Sequence, residues 1–331
     1  MVTLAARALL LAAVAAAAGC AGVQSALEPS GPAASRIAQL WWIMLAVTLS
    51  PAIVVIGMAL YAVRRAWTGR GAGLGLSDNL FVLVGGAAIP LVILVYVLVT
   101  NVRIGAEVTR PPEEPALTVE VVGHQDWWEV RYPEHDIVTA NEIHIPVGVP
   151  VRVRLTASDV IHSFWVPRLH GKIDMTPGRT NTTWLKATEP GVFRGQCAEF
   201  CGLQHALMAL LVIAEPPDRF EAWRQARRAG PGPVTDARAA RGRQVFVDAA
   251  CAHCHAIRGL DTPAHTGAPG PDLTDVAARR SLAAATIPNN PGTLAAWILD
   301  PHGIKPGARM PPTALASEDL DALLAYLGTL R

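Results

Sequence analysis

The chain has 331 residues, of which 51% are hydrophobic and 17% charged, and its formal net charge is +1. That length leaves room for two or three modest domains, and the apolar excess is high for a purely water-soluble protein. With so little net charge, nothing argues for a nucleic-acid partner held by phosphate neutralisation.

In chain order, Arg7 precedes an apolar run over 8–18, and small residues then lead to Gly19 and Cys20. This is an export-signal pattern. The tetrapeptide 17–20 (AAGC) is similar to a bacterial lipoprotein cleavage site, although it lacks the usual Leu at its first position. On that reading residues 1–19 are a signal peptide and Cys20 takes up lipid. An ordinary signal peptide with an incidental Cys, or an uncleaved anchor, is the alternative. Residues 20–37 then form an extracytoplasmic tether.

Two apolar runs without charge follow, over 40–63 and 80–102. Each exceeds the roughly 20 residues needed to cross a bilayer core, and they predict membrane helices over 38–64 and 79–103. Pro51 and Pro90 fall inside them, which membrane helices tolerate better than soluble ones. The loop 65–78 follows Arg64, begins on Arg65 and also holds Arg70, so it is expected in the cytoplasm. A hairpin with its loop inside places everything after residue 103 on the outer face of a bacterial plasma membrane.

Beyond a Pro/Glu-rich stretch the pattern changes to short β-type runs over 117–122, 142–146, 149–156, 182–185 and 209–214, separated by turn residues. Several short strands at such spacing predict a sandwich or barrel over 116–215. Residues 216–236, with paired prolines, an Arg-rich helical piece and Gly230-Pro231-Gly232-Pro233, read as a linker. From 237 to 331 the chain is Ala-rich and helical. Its last helix has Ser317 as the predicted N-cap and Leu320, Leu323, Leu324 and Leu327 as an apolar stripe.

The five cysteines are Cys20, the pair Cys197 and Cys201, and the pair Cys251 and Cys254. Close pairs with neighbouring histidines read as metal or haem attachment before structural disulfides. Segment 197–208 (CAEFCGLQHALM) sets Cys197, Cys201, His205 and Met208 within twelve residues. Soft sulfur with imidazole selects copper, and a weak axial Met belongs to copper electron-transfer sites. Two cysteines on one loop can bridge two coppers, and each copper then needs its own His. His205 supplies one. His162, after a Val-rich strand and before Pro167, is the best second candidate, with His144 as its competitor; His124, His135 and His170 read as structural or solvated. A Cys197–Cys201 disulfide is the alternative.

The Cys-x-Glu-x-Cys-x-x-x-His-x-x-Met spacing, with Asp159-Val160-Ile161-His162-Ser163 upstream, resembles the binuclear CuA domain of cytochrome c oxidase subunit II. Together with the helix hairpin, the similarity covers about residues 38–215. It implies a cupredoxin-like barrel in which His162, Cys197, Cys201, His205, Met208 and the backbone carbonyl of Glu199 bind copper. It also implies a Glu199 side chain directed to a magnesium ion at the subunit I interface. Two departures stand out. In Gly123-His124-Gln125-Asp126-Trp127-Trp128, Asp126 occupies a position where an aromatic residue is usual, leaving Trp127 and Trp128 as candidate aromatics for electron input. No acid lies within 80–90, where the family commonly offers a glutamate to a proton path.

Cys251-Ala252-His253-Cys254-His255 is the attachment signature of c-type haem, with His255 placed to bind iron. Met310, in a Pro-rich loop before the last helix, is the expected distal ligand, since Met/His ligation raises the haem potential; His265 and His302 are its alternatives. A zinc site from Cys251, His253, Cys254 and His255 is the other possibility. The Met-Pro loop and terminal helix resemble class I cytochrome c, and residues 267–272 are expected beside the proximal His.

A CuA domain followed by cytochrome c is similar to the arrangement in caa-type oxidases. The resemblance implies a multidomain membrane protein: a two-helix transmembrane hairpin, an all-β cupredoxin-like barrel, then an all-α cytochrome c domain. As the electron-input subunit of a cytochrome c oxidase, it would act with subunits I and III, and with an upstream cytochrome c or quinol–cytochrome c reductase as donor. Tethering turns donor encounter into an intramolecular event at high effective concentration. The alternatives are the corresponding subunit of a copper-containing nitric oxide reductase and a stand-alone membrane-tethered carrier.

Overall fold

The computed structural model describes residues 22–69, 77–261 and 269–331. The expected signal peptide, Cys20, Arg70 and His265 lie outside the described residues. The chain divides into two compact units, one of residues 33–110 and one of residues 1–32 with 111–331.

The smaller unit is the helix pair. Helix α1 (Pro32–Trp67) and helix α2 (Asp78–Thr109) are each long and apolar enough to cross a membrane, and the apolar windows have none of their residues buried within the protein. Such surface is stable only against lipid. Both helices extend past the charge-free runs, so α1 takes in part of the stretch assigned to the tether. Pro90 lacks an N–H, and the turn before it widens into a π-helical segment (Val82–Ala88) holding Gly85 and Gly86. Arg36 and Glu107, 3.0 Å apart, pair α1 with α2.

In the larger unit, ten strands form two sheets: β1 (Leu117–His124), β2 (Trp127–Tyr132), β3 (Ile137–Ala140), β4 (Glu142–Pro146), β5 (Val151–Ala157), β6 (His162–Trp165), β7 (Ile173–Met175), β8 (Asn181–Leu185), β9 (Gly191–Cys197) and β10 (Ala209–Glu215). One sheet has the order β3-β2-β1-β5-β8, the other β4-β10-β9-β6-β7. Alternate residues of β1 and β5 point inward, and Val119, Val121, Val151, Val153 and Leu155 are fully buried with Phe193 and Leu210 from the facing sheet. This is the period-2 pattern of a sheet with one covered face.

The chain before α1 is strapped to this sandwich: Ser30 N donates to Arg168 O, and Thr188 N donates to Ser30 O. The stretch read as a linker contains helix α3 (Pro217–Ala229), whose Phe220 and Trp223 join the barrel core. Helix α4 (Ala237–Asp248) crosses the last helix, α6 (Ser317–Leu327), and between them lie strands β11 (Ser281–Leu282) and β12 (Ile287–Pro288) and helix α5 (Pro291–Leu299). Leu323 and Leu327 are buried and Leu320 and Leu324 pack beside them. The expected cap at Ser317 is not made. Ala316 holds the N-cap position, Ser317 is already helical, and the helix start has Glu318 and Asp319 in its first turn instead.

Candidate metal centre and neighbouring cavity

Strand pairing brings the sulfur and imidazole groups together. β6 runs antiparallel to β9, so His162 at the start of one strand lies near Cys197 at the end of the other. The loop from Cys197 to Met208 is closed at its base, where Cys197 N donates to Met208 O at 2.9 Å. Within it the two Sγ atoms are 3.7 Å apart. His162 Nδ1 is 3.9 Å from Cys197 Sγ and His205 Nδ1 is 3.7 Å from Cys201 Sγ. Met208 Sδ lies 3.7 Å from Cys201 Sγ, and Glu199 O lies 3.2 Å from Cys197 Sγ. Both cysteines are free, which removes the disulfide alternative. Each thiol thus has one imidazole, in the arrangement two bridged metal ions need.

Neighbouring groups fix the donors. Asp159 Oδ1 takes His162 Nε2 at 2.9 Å, and Gln125 N donates to Asp159 Oδ2 at 2.7 Å. An Nε2–H bound to a carboxylate leaves the Nδ1 lone pair for a metal. Gly123 makes the space, since a Cβ there would sit 2.8 Å from His162 Cδ2. Without metal, the Cys201 thiol hydrogen bond lowers the Cys197 thiol to about 3, while that bond and burial push Cys201 far above the thiol range. One thiolate forms readily; the second calls for nearby positive charge.

The second constellation lies around an apolar cavity. After α4 the chain turns through Ala250, in the left-handed region at φ 60°, into the short helix Cys251–His253. His255 Nδ1 pairs with Pro271 O at 2.8 Å, leaving Nε2 for an iron. Gly270 lies so close that a Cβ would be 2.7 Å from His255 Cε1. Residues 269–272 therefore do pack against this His, as expected. His255, Cys254 and Met310 line one cavity with Trp297; Cys251, His255 and Met310 line the one beside it. Two free thiols, an inward imidazole and a thioether around apolar space fit a covalently held haem better than a zinc ion. His302 is exposed and lies outside both cavities.

Comparison with known proteins agrees with this geometry. Residues 135–215 match the family described as cytochrome c oxidase subunit II, periplasmic domain, and residues 239–331 match cytochrome c. Cytochrome c oxidase subunit 2 of Alkalihalophilus pseudofirmus is 36% identical over 330 residues, which is 95% of this chain and 93% of that one. The chain belongs to the cytochrome c oxidase subunit II family. The Bacillus subtilis subunit 2 is 30% identical over 93% of this chain and 92% of its own length. The crystal structure of the periplasmic domain of subunit II of cytochrome oxidase from Bradyrhizobium japonicum is 33% identical over 35% of this chain and 96% of that chain, with a TM-score of 0.35. A subunit II with a cytochrome c domain is part of a haem–copper oxidase. It is membrane-anchored, carries copper and haem c, and works beside subunit I.

In this subunit II the cytochrome domain sits against the copper domain. Asp126 and Trp127 form part of the wall of the cavity that holds His255 and Met310. Lys305, 3% exposed, donates to Asp126 O at 3.2 Å. Burial lowers the Lys305 ammonium to about 8 and raises the Asp126 carboxyl. Arg309 donates to Gln125 Oε1, Gln125 Nε2 donates to Cys201 O at 2.7 Å, and Gln204 donates to Pro306 O. The drifted position Asp126 is thus covered by the chain's own cytochrome domain.

Four further histidines have structural partners. His144 pairs with Glu215 at 2.9 Å and stacks on Trp223, so it is half-buried. His124 stacks on Trp127 and pairs with Glu129, His135 meets Arg224, and His170 packs edge-on against Trp184. Sequence reading missed the roles of Asp159, Gln125 and Lys305. Of these only Asp159, three residues before His162, carries a local signal.

Proposed function

We propose that this chain accepts electrons at a covalently attached haem c and relays them through a binuclear copper site to subunit I, where oxygen is reduced to water and protons are pumped. The observation that carries this reading is the pair of free thiols 3.7 Å apart, each with its own imidazole, beside a His/Met cavity walled by the same domain.

Cys251 and Cys254 would hold the porphyrin, with His255 and Met310 at its iron. Cys197, Cys201, His162, His205, Met208 and the Glu199 carbonyl would hold the coppers. Bound copper and haem supply one-electron redox chemistry. The chain's part is to fix those donors, exclude water and set the distances. Trp127 faces the haem cavity, and Trp128, fully buried, lies 6.0 Å from the His162 ring. These two side chains are the aromatic link between the centres. Among the described residues, the one cluster of three metal-binding side chains is His162, Cys197 and Cys201. A magnesium ion at the Glu199 carboxylate would lie at the subunit I interface and keep several waters. Phe200, 74% exposed at the tip of the copper loop, offers an apolar surface to that partner.

The proposed domain plan is a signal peptide over 1–19, lipid on Cys20, a two-pass anchor in the bacterial plasma membrane and both redox domains on its outer face. Subunit III and an upstream cytochrome c or quinol–cytochrome c reductase complete the chain of partners. Electron paramagnetic resonance of the copper-loaded protein tests the centre: a seven-line hyperfine pattern is expected, and a four-line spectrum would reject the binuclear assignment. Oxygen consumption by the native complex, measured against nitric oxide consumption, tests the reaction.

A further inference from the structure

The cytochrome domain rests on the edge where the two sheets of the barrel meet, and the polar groups there are buried. Glu142 opens β4, the edge strand of its sheet, and is 2% exposed. Its Oε1 accepts from Arg280 N at 2.8 Å, Ser281 N at 3.0 Å and Ser281 Oγ at 3.1 Å. One carboxylate oxygen thus holds two successive backbone amides at the start of β11. On the neighbouring edge strand β3, Thr139 Oγ1 donates to Asp275 Oδ2 at 2.7 Å, and Asp275 is also held by Arg279 at 2.5 Å. Arg227, on α3 between the domains, approaches Asp275 to 3.8 Å.

Encounters that form and dissolve during turnover leave their charges wet and exposed at a rim. These groups are desolvated, and separating the domains would leave Glu142 and Asp275 to find new partners. The turn that follows Ser281 adds to the fixity. Ala283, Ala284 and Ala285 all have positive φ (53°, 56° and 57°), a conformation that L-residues hold only when their surroundings over-determine it. Ala284 O accepts from Ala209 N on the copper side at 3.2 Å.

We infer that Glu142 is a positioning residue for electron transfer within this chain: with Thr139 and Asp275 it clamps the cytochrome domain in one fixed pose against the copper domain, so the domain does not swing between an outside donor and the copper. This rests on the proposed ligand assignments, but the clamp has a readout, backbone amide exchange, that does not depend on which residues bind the metals.

The test uses the full chain loaded with haem c and copper. Glu142→Gln keeps an oxygen that accepts from Arg280 and Ser281; Glu142→Leu does not. Thr139→Val serves as a milder second variant. Hydrogen exchange at the Ala209 amide reports docking through a backbone hydrogen bond that the Glu142 side chain does not make. Flash reduction gives the internal electron-transfer rate and its dependence on solvent viscosity. In wild type and Glu142→Gln we expect a protected Ala209 amide and a viscosity-independent rate. Glu142→Leu should expose that amide and slow transfer about tenfold, on the scale that ångström-level misplacement imposes, with a new viscosity dependence. Thr139→Val should move the same way by less. Copper and haem spectra should be unchanged in every variant, and their absence from wild type would reject the ligand assignments instead. A viscosity-dependent rate in wild type, or wild-type exchange and rate in both Glu142→Leu and Thr139→Val, would overturn the clamp.

Discussion

The amide of Ala209 donates to the carbonyl of Ala284 at 3.2 Å. Ala209 follows the proposed copper ligand Met208, and Ala284 lines the cavity that holds His255 and Met310. A single hydrogen bond therefore joins the two redox sites through backbone.

Among the described glycines of the cytochrome domain, Gly242 meets its neighbours most closely. A Cβ on it would stand 1.9 Å from Ala322 O and 2.8 Å from Tyr326 Cβ, where α4 crosses α6. Gly242→Ala must push the helices apart. A loss of about 2–3 kcal/mol is expected from overpacking, or roughly 10 °C or more in the melting of a domain this size. Thermal unfolding followed at the haem absorption band checks it, and an unchanged midpoint would contradict the crossing described.

Cys201 touches Cys197, His205 and Met208 at once. Cys201→Ser should abolish the seven-line copper signal and lower bound copper relative to haem. Cys201 is part of the buried barrel cluster, but serine keeps its shape to within one atom, so the β-sheet circular dichroism should persist. Retention of the seven-line pattern would exclude Cys201 as a bridge.

Met310→Ala should remove the thioether–iron charge-transfer absorption at the red end of the spectrum. Haem should remain covalently bound, because Cys251 and Cys254 are untouched. Survival of the band would rule out Met310 as the axial ligand, and its absence from wild type would direct attention to His265 or His302.

Glu215 accepts from His144, and this hydrogen bond holds its carboxyl below the usual range. A carboxylate whose folded pKa is depressed contributes stability that is fully present above its unfolded value and is lost as pH falls through the folded one. Because the side chain is 26% exposed, the contribution is about 1 kcal/mol or less. Denaturant midpoints of wild type and Glu215→Gln should differ at neutral pH and converge under acid, below the ordinary glutamate pKa of about 4.5. A gap that widens with acid would reverse the assignment.

Both constellations were legible because their residues are close in sequence. The copper loop sets four side chains in twelve positions, and the haem motif needs five. His162 was reachable through the strand that carries it. The long apolar runs and the alternating strands β1 and β5 were equally plain. Strand β7, three residues long, offered no pattern, and helix α3 was hidden by prolines and glycines although Phe220 and Trp223 anchor it to the barrel. The interface was the least accessible part. Glu142 and Ser281 are 139 residues apart, and Thr139 and Asp275 are 136 apart. Nothing local marks such polar residues as partners, and Glu142 alone looks like an ordinary solvated member of a strand.

Glu142, Asp275 and Arg279 are all shielded from solvent. Mobile ions screen charges through water over about 10 Å at 0.1 M, and they reach such groups poorly. Ionic strength should then divide the electron's path in two. On the proposed path, added salt should weaken the arrival of a charged donor at the outer surface, while the inner hop keeps its pace.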